Sequence, residues 1–129
     1  SFGRYYLRQI QKTGHAEKIA EVFLDGRGVN PAFISDDADL LYLSAKSLNE
    51  TGQSQPAVSA FLEFAERYPD HPLIPNAYFF TAKLLHEKLD NGKQALRVLQ
   101  HLVEKYPFHE NAGFVQSYLR QVKSALNTA

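Results

Sequence analysis

The chain has 129 residues, 44% of them hydrophobic and 22% charged, the make-up of an ordinary globular domain rather than a disordered or fibrous one. Lys and Arg number 14 and so do Asp and Glu, which excludes the general basic footprint of a nucleic-acid or anionic-membrane binder. Cysteine is absent, ruling out disulfides, a thiol nucleophile and Cys-ligated zinc, and no run of about 18 apolar residues offers a bilayer span.

A chain of this length buries roughly two thirds of its unfolded surface, enough for one core without staples, so one domain is expected. It starts at Ser1, has no Met and shows no basic–apolar signal segment, and it reads as a mature form or a piece of a larger protein.

In chain order, Leu7, Ile10, Ile19 and Phe23 outline a short helical hairpin over residues 3–25 with Gly14 at its turn. Asp25-Gly26-Arg27-Gly28 reads as the turn that ends it. A loop containing Asn30-Pro31 then leads to Ser35-Asp36-Asp37, a natural N-cap for a helix from Ala38. Leu41, Ala45 and Leu48 step at helical spacing up to Thr51-Gly52. Ser54 is placed to cap the next helix, which tolerates Pro56 in its first turn and carries Ala57, Phe61, Phe64 and Tyr68 on one face. Pro69 ends it, and Pro72 and Pro75 suit the first turn of the helix bearing Tyr78, Ala82 and Leu85. After Asp90-Asn91-Gly92, Asn91 and Gln94 form a capping-box pattern ahead of Ala95, Leu99, Leu102 and Tyr106, and Pro107 closes the segment. Residues 111–127 make an amphipathic helix with Phe114, Tyr118, Val122 and Leu126 on one face.

These segments repeat. Ala45-Lys46, Leu48 and Glu50 align with Ala82-Lys83, Leu85 and Glu87 at a spacing of 37. After one extra turn residue, Ala57, Phe61, Phe64 and Tyr68-Pro69 align with Ala95, Leu99, Leu102 and Tyr106-Pro107 at 38. The first hairpin follows more weakly, with Leu7, Ile10, Gly14, Ile19 and Phe23 offset by 38 from Ala45, Leu48, Gly52, Ala57 and Phe61. The expected architecture is therefore all-α: a weak repeat over 3–25, repeats over 38–69 and 75–107, and a capping helix over 111–127, since a terminal pair otherwise exposes an apolar face.

At Leu41, Ala45, Leu48, Gly52, Ala57, Phe61 and Pro69, and again at Tyr78, Ala82, Leu85, Ala95, Leu99 and Pro107, the chain resembles the tetratricopeptide repeat family. Phe64 and Leu102 stand where the family prefers Ala, and each unit is longer than the usual 34 or so residues. The longer unit, with ERYPDHPLIPNA and EKYPFHENA, is similar to a bacterial envelope subset. That subset includes the C-terminal domain of the Tol–Pal-associated coordinator and the repeats of an outer-membrane-assembly lipoprotein. It implies a periplasmic or inner-membrane-associated setting.

The resemblance implies a right-handed superhelix of about three antiparallel hairpins, and a non-catalytic adaptor or scaffold binding a partner segment in the concave groove. Carried over position by position, the groove is lined by Asp39, Tyr42, Lys46 and Asn49, by Asn76, Phe79, Lys83 and His86, and by Arg4, Arg8 and Gln11 of the weak repeat. The cations with Tyr42 and Phe79 suit an acidic or carboxylate-bearing peptide. The bland reading is that the lysines are solvated and the rings pack between hairpins. A second class of function is self-association through Tyr5, Tyr6, Phe108 and Phe114, or service as the soluble regulatory tail of a membrane protein.

Catalytic and cofactor chemistry find no foothold. His15, His71, His86, His101 and His109 include no i, i+4 pair, and no HExxH is present. Asp25-Gly26-Arg27-Gly28 lacks a phosphate-loop pattern. Asp36, Asp37 and Asp39 lack the calcium-loop spacing and fit N-capping instead. No nucleophile elbow is present.

Overall fold

The computed structural model describes residues 2–11, 15–107 and 109–128. Among them are seven helices: α1 (Phe2–Gln11), α2 (Ala16–Val29), α3 (Ala38–Glu50), α4 (Ser54–Arg67), α5 (Ile74–Glu87), α6 (Gly92–Lys105) and α7 (Ala112–Thr128). They gather into two compact units, Ser1–Phe64 and Ala65–Ala129. None of the described helices is long and apolar enough to cross a membrane. Gly14 and Phe108, singled out in the sequence, lie outside the described residues.

In the first unit, α1 packs on α2 and α2 on α3. Leu7 and Ile10 of α1 and Ile19, Ala20 and Phe23 of α2 are buried at helical spacing, as the apolar pattern requires. The end of α2 departs from expectation. It does not stop at Asp25 but runs through Gly26, Arg27 and Gly28 to Val29.

The reason is the following loop, which turns Phe33 back against the hairpin. A Cβ on Gly26 would stand 2.3 Å from Phe33 Cδ2, and one on Gly3 would stand 2.9 Å from its Cζ. The two glycines leave the space that the ring occupies, and their helices continue past them. Gly26→Ala therefore tests the packing. Helix propensity alone favours alanine by about 1 kcal/mol, but the ring has Gly3 behind it and no room to retreat. The expected net result is a loss of about 1–3 kcal/mol in a urea unfolding titration, relieved by adding Phe33→Leu. A more stable Gly26→Ala would show that the ring is not confined there.

Arg27 fastens the same loop. Its Nε donates to the Phe33 carbonyl at 2.8 Å, and its two terminal nitrogens grip the Glu63 carboxylate of α4 at 2.8 and 2.9 Å. Ser35 Oγ donates to Glu63 Oε2 at 2.7 Å, and the guanidinium lies 4.8 Å from the Phe23 ring centre. Ile34, only 1% exposed, is held at φ 53°, a left-handed conformation that β-branched residues rarely adopt. The strain, about 1–3 kcal/mol, is tolerated because burial of its side chain and the Arg27 contacts fix the loop. Asp37 then caps α3, accepting from the Leu40 N–H at 3.1 Å.

Between α3 and α4 the chain turns through Gly52 at φ 76°. The Gly52 and Gln53 N–H groups donate to the Asn49 and Leu48 carbonyls, a Schellman closure that uses glycine's freedom at positive φ. The Ala57 N–H donates to the Gln53 carbonyl, so the cap of α4 falls on Gln53, one residue before the expected Ser54. Ala45, Leu48, Ala57, Phe61 and Phe64 are completely buried.

The second unit follows the same plan. α5 packs on α6 and α6 on α7, with Ala77, Ala82, Ala95, Leu99, Leu102 and Val122 fully buried. Asn91 caps α6 through the Gln94 N–H, and its side-chain amide donates to Gln94 Oε1 at 3.0 Å. Pro75 sits in the first turn of α5, while Pro72 precedes the helix. α7 buries Val115, Tyr118 and Val122, whereas Phe114, expected on that face, is 63% exposed. Leu126 packs where Gly92 lacks a Cβ. Two buried hydroxyls mark the repeat, Ser44 donating to the Leu40 carbonyl at 2.7 Å and Thr81, 37 residues on, to the Ala77 carbonyl at 2.8 Å.

Candidate functional site

The first-helix positions named from the repeat pattern fare unequally in the first unit. Arg4 pairs with Asp36 and Arg8 with Asp37, so both guanidiniums tie α1 to the loop before α3. Tyr42 is 9% exposed, its ring set against Phe61 at 5.8 Å and Phe64 at 5.1 Å. It contributes to the interior of its hairpin more than to a surface. Asp39 and Gln11 are exposed, and Lys46 and Asn49 are half-buried.

In the second unit, Asn76, Phe79, Lys83 and His86 are all half-buried on α5. α7 lies alongside. Phe79 meets Phe114 and Tyr118 edge-on, each at 5.4 Å, and Tyr118 also faces His86 at 6.2 Å. Lys83 Nζ lies 5.9 Å from the Phe79 ring centre. The Tyr118 hydroxyl donates to Glu87 Oε2 at 2.6 Å. Burial, reinforced by that hydrogen bond and the carboxylate's charge, pushes the phenol far above its ordinary titration range. Tyr118 thus pins α7 to α5.

Lys46 and Lys83 occupy equivalent positions 37 residues apart, and among the described residues neither ammonium is ion-paired. Asn49 and His86 are likewise equivalent. Each repeat therefore presents one unneutralised lysine on its first helix beside a polar, half-buried neighbour.

A feature not foreseen in the sequence is a cleft of about 380 Å³ in the second unit. It is lined by Pro75, Asn76, Phe79 and Phe80 from α5 and by His109, Asn111, Phe114 and Val115 at the start of α7. Its polar edge arises from a repeated turn. His71 Nδ1 accepts from the Leu73 N–H at 3.1 Å, and His109 Nδ1 accepts from the Asn111 N–H at 3.2 Å, each just before a first helix. An imidazole accepting at Nδ1 is neutral with its proton on Nε2. His109 Nε2 is buried and has no partner among the described residues. The 38-residue spacing of His71 and His109 was the available signal.

Burial lowers the His109 pKa below the ordinary histidine value. The unfolded chain then binds the extra proton more readily than the folded one, so stability present above about pH 6.5 is lost as pH falls below it. His109→Asn keeps the turn acceptor without the titration. Its thermal midpoint is expected to fall less than that of the wild type between pH 7.5 and 5.5; parallel curves would remove His109 as the cause.

Among the described residues no three His, Cys, Asp or Glu side chains are gathered so as to hold a metal ion. In comparison with known proteins, a tetratricopeptide repeat family model matches residues 39–71, which span α3 and α4. No curated protein matches the chain. The matched repeat and the helical hairpins together give an all-α, tetratricopeptide-like helical repeat fold.

Proposed function

We propose that this chain is a non-catalytic protein-interaction domain in which the first helices of the repeats, α3 and α5, each offer a lysine-bearing face to acidic groups of a partner protein. The observation that carries the reading is the pair Lys46 and Lys83. Two repeats place a cation at the same helix position, and among the described residues neither cation has an ion-pair partner, whereas Arg4 and Arg8 do. Repeat domains of this class bind through such surfaces, and charge complementarity sets partner choice. Asn49 and His86 add hydrogen-bonding groups beside the lysines. The repeat period and the phrases ERYPDHPLIPNA and EKYPFHENA support a bacterial envelope setting, in the periplasm or on the cytoplasmic face of the inner membrane.

The test is capture of partners by wild type, Lys46→Glu, Lys83→Glu and the double variant, with oligomeric state followed by sedimentation. The expected outcome is a loss of capture of roughly tenfold or more in the double variant, with unchanged sedimentation. Self-association is the competing reading, favoured by the exposure of Phe2 at 82%, Tyr5 at 63% and Phe114 at 63%. Capture indifferent to both lysines, together with self-association that Phe2→Ser or Phe114→Ser abolishes, would establish that reading instead.

A further inference from the structure

Two unrelated demands meet where α6 begins. The cap needs a short side chain with an acceptor, and Asn91 supplies it. Its Oδ1 accepts from the Gln94 N–H at 3.3 Å, while Nδ2 donates to Gln94 Oε1 at 3.0 Å. The next position admits no side chain, since a Cβ on Gly92 would stand 2.9 Å from Leu126 Cδ2 of α7 and 3.5 Å from His86 Nδ1. The outcome is Asn-Gly, in which no side chain on the second residue shields the asparagine's Cγ from the following backbone nitrogen. None of the other asparagines, Asn30, Asn49, Asn76, Asn111 and Asn127, precedes a glycine. Asn91 is exposed, and Asp90 before it is held at φ 49°. Gly92 opens α6, and the first N–H groups of a helix have no intrahelical acceptor, so the helix does not withhold its nitrogen.

We propose that Asn91 is a site of spontaneous covalent modification, its side-chain amide lost through attack by the Gly92 nitrogen, with solvent water as co-reactant. The Gly92 nitrogen gives up its proton and bonds to Asn91 Cγ. The Cγ–Nδ2 bond breaks and ammonia leaves with that proton, closing a cyclic imide. Water then adds at one of the two imide carbonyls. Opening at Cγ yields aspartate, and opening at the main-chain carbonyl yields an isoaspartyl link that runs through the side-chain carbons. No electrons are gained or lost. The fold sets the rate. At ψ 63° the Asn91 Cβ and the Gly92 nitrogen lie on opposite sides of the Cα–C bond, and ring closure needs them on the same side. The first turn of α6 must therefore open locally, against the Gln94 contacts. The two products differ in effect. Aspartate still caps α6 and its charge suits a helix N-terminus. The isoaspartyl link lengthens the backbone, shifting Gly92 from beneath Leu126 and loosening α7. None of this depends on the lysine faces binding a partner.

The experiment ages the whole chain in mildly alkaline buffer and follows each asparagine peptide by mass spectrometry, with isoaspartyl links scored by an isoaspartyl methyltransferase. Acid is expected first at Asn91, roughly tenfold faster than at any other asparagine. Gln94→Ala removes the partner of Nδ2 and is expected to raise the Asn91 rate roughly threefold to tenfold, the worth of one hydrogen bond. Asn91→Asp is expected to melt no lower than wild type, while the isoaspartyl-enriched fraction melts lower. Acid appearing first at another asparagine, or an Asn91 that stays intact, would overturn the proposal. An Asn91 rate unchanged in Gln94→Ala would overturn the cap as its restraint.

Discussion

Phe61→Ala is expected to lower the free energy of unfolding by about 3–5 kcal/mol, a large share of the 5–15 kcal/mol typical of a whole domain. Phe61 is completely buried in α4, and Tyr42 meets it edge-on at 5.8 Å. Neighbouring Phe64 is also fully buried and lies 5.1 Å from the same tyrosine ring. Removing the ring leaves a cavity that cannot close unless its packed neighbours shift inward, which their own packing resists. Phe2→Ala, at a side chain left 82% exposed, should by contrast fall within about 0.5 kcal/mol of wild type. Urea titrations of both variants read this directly. A Phe61→Ala cost under about 1.5 kcal/mol would mean that the hairpin is not packed around this residue.

The second large effect belongs to Arg27. Arg27→Ala should cost about 3 kcal/mol, because it strips Glu63 of two charge-assisted hydrogen bonds in a site where both side chains are only 20–26% exposed. The Phe33 carbonyl loses its donor and the Phe23 ring its cation at the same time. Arg27→Lys should recover only part of the loss, since an ammonium cannot grip both carboxylate oxygens and the carbonyl together. Replacing Arg27 and Glu63 together with Leu should cost less than Arg27→Ala alone, because no buried charge is then stranded. A double variant as unstable as the sum of its single changes would show the two groups acting independently.

The two best-formed hairpins were legible because their apolar periods coincide at spacings of 37 and 38, and Ala45, Leu48, Ala57 and Phe61 all prove to be core. Where the chain departs from the repeat, local reading failed for identifiable reasons. Gly26 and Gly28 looked like punctuation, yet α2 passes through both, since Gly26 is required by a ring seven residues away in sequence. That is a tertiary demand, invisible to helix propensity. Arg4 and Arg8 looked like ligand-facing cations, but the loop acids Asp36 and Asp37 claim them. Tyr42 had two readings, lining a groove or packing within the hairpins, because helical spacing cannot say how far a side chain sinks between two helices; its ring lies against Phe61 and Phe64. By spacing Phe114 shares a face of α7 with Tyr118 and Val122, yet it stays exposed while Val115, one residue on, is buried, because the helix carries apolar groups at both positions. The cleft depends on where α7 starts relative to α5, and only its repeated histidine turn had a trace in the sequence.

The measurement that bears most directly on the central claim is site-specific photo-crosslinking in source cells, with a diazirine residue placed in turn at positions 46, 83 and 100. Gln100 is exposed on α6, a second helix, and serves as the comparison. Binding through the first helices predicts crosslinks from positions 46 and 83 to the same protein, other than the chain itself, and none from position 100. Crosslinks confined to copies of the chain, or equally strong from position 100, would contradict it.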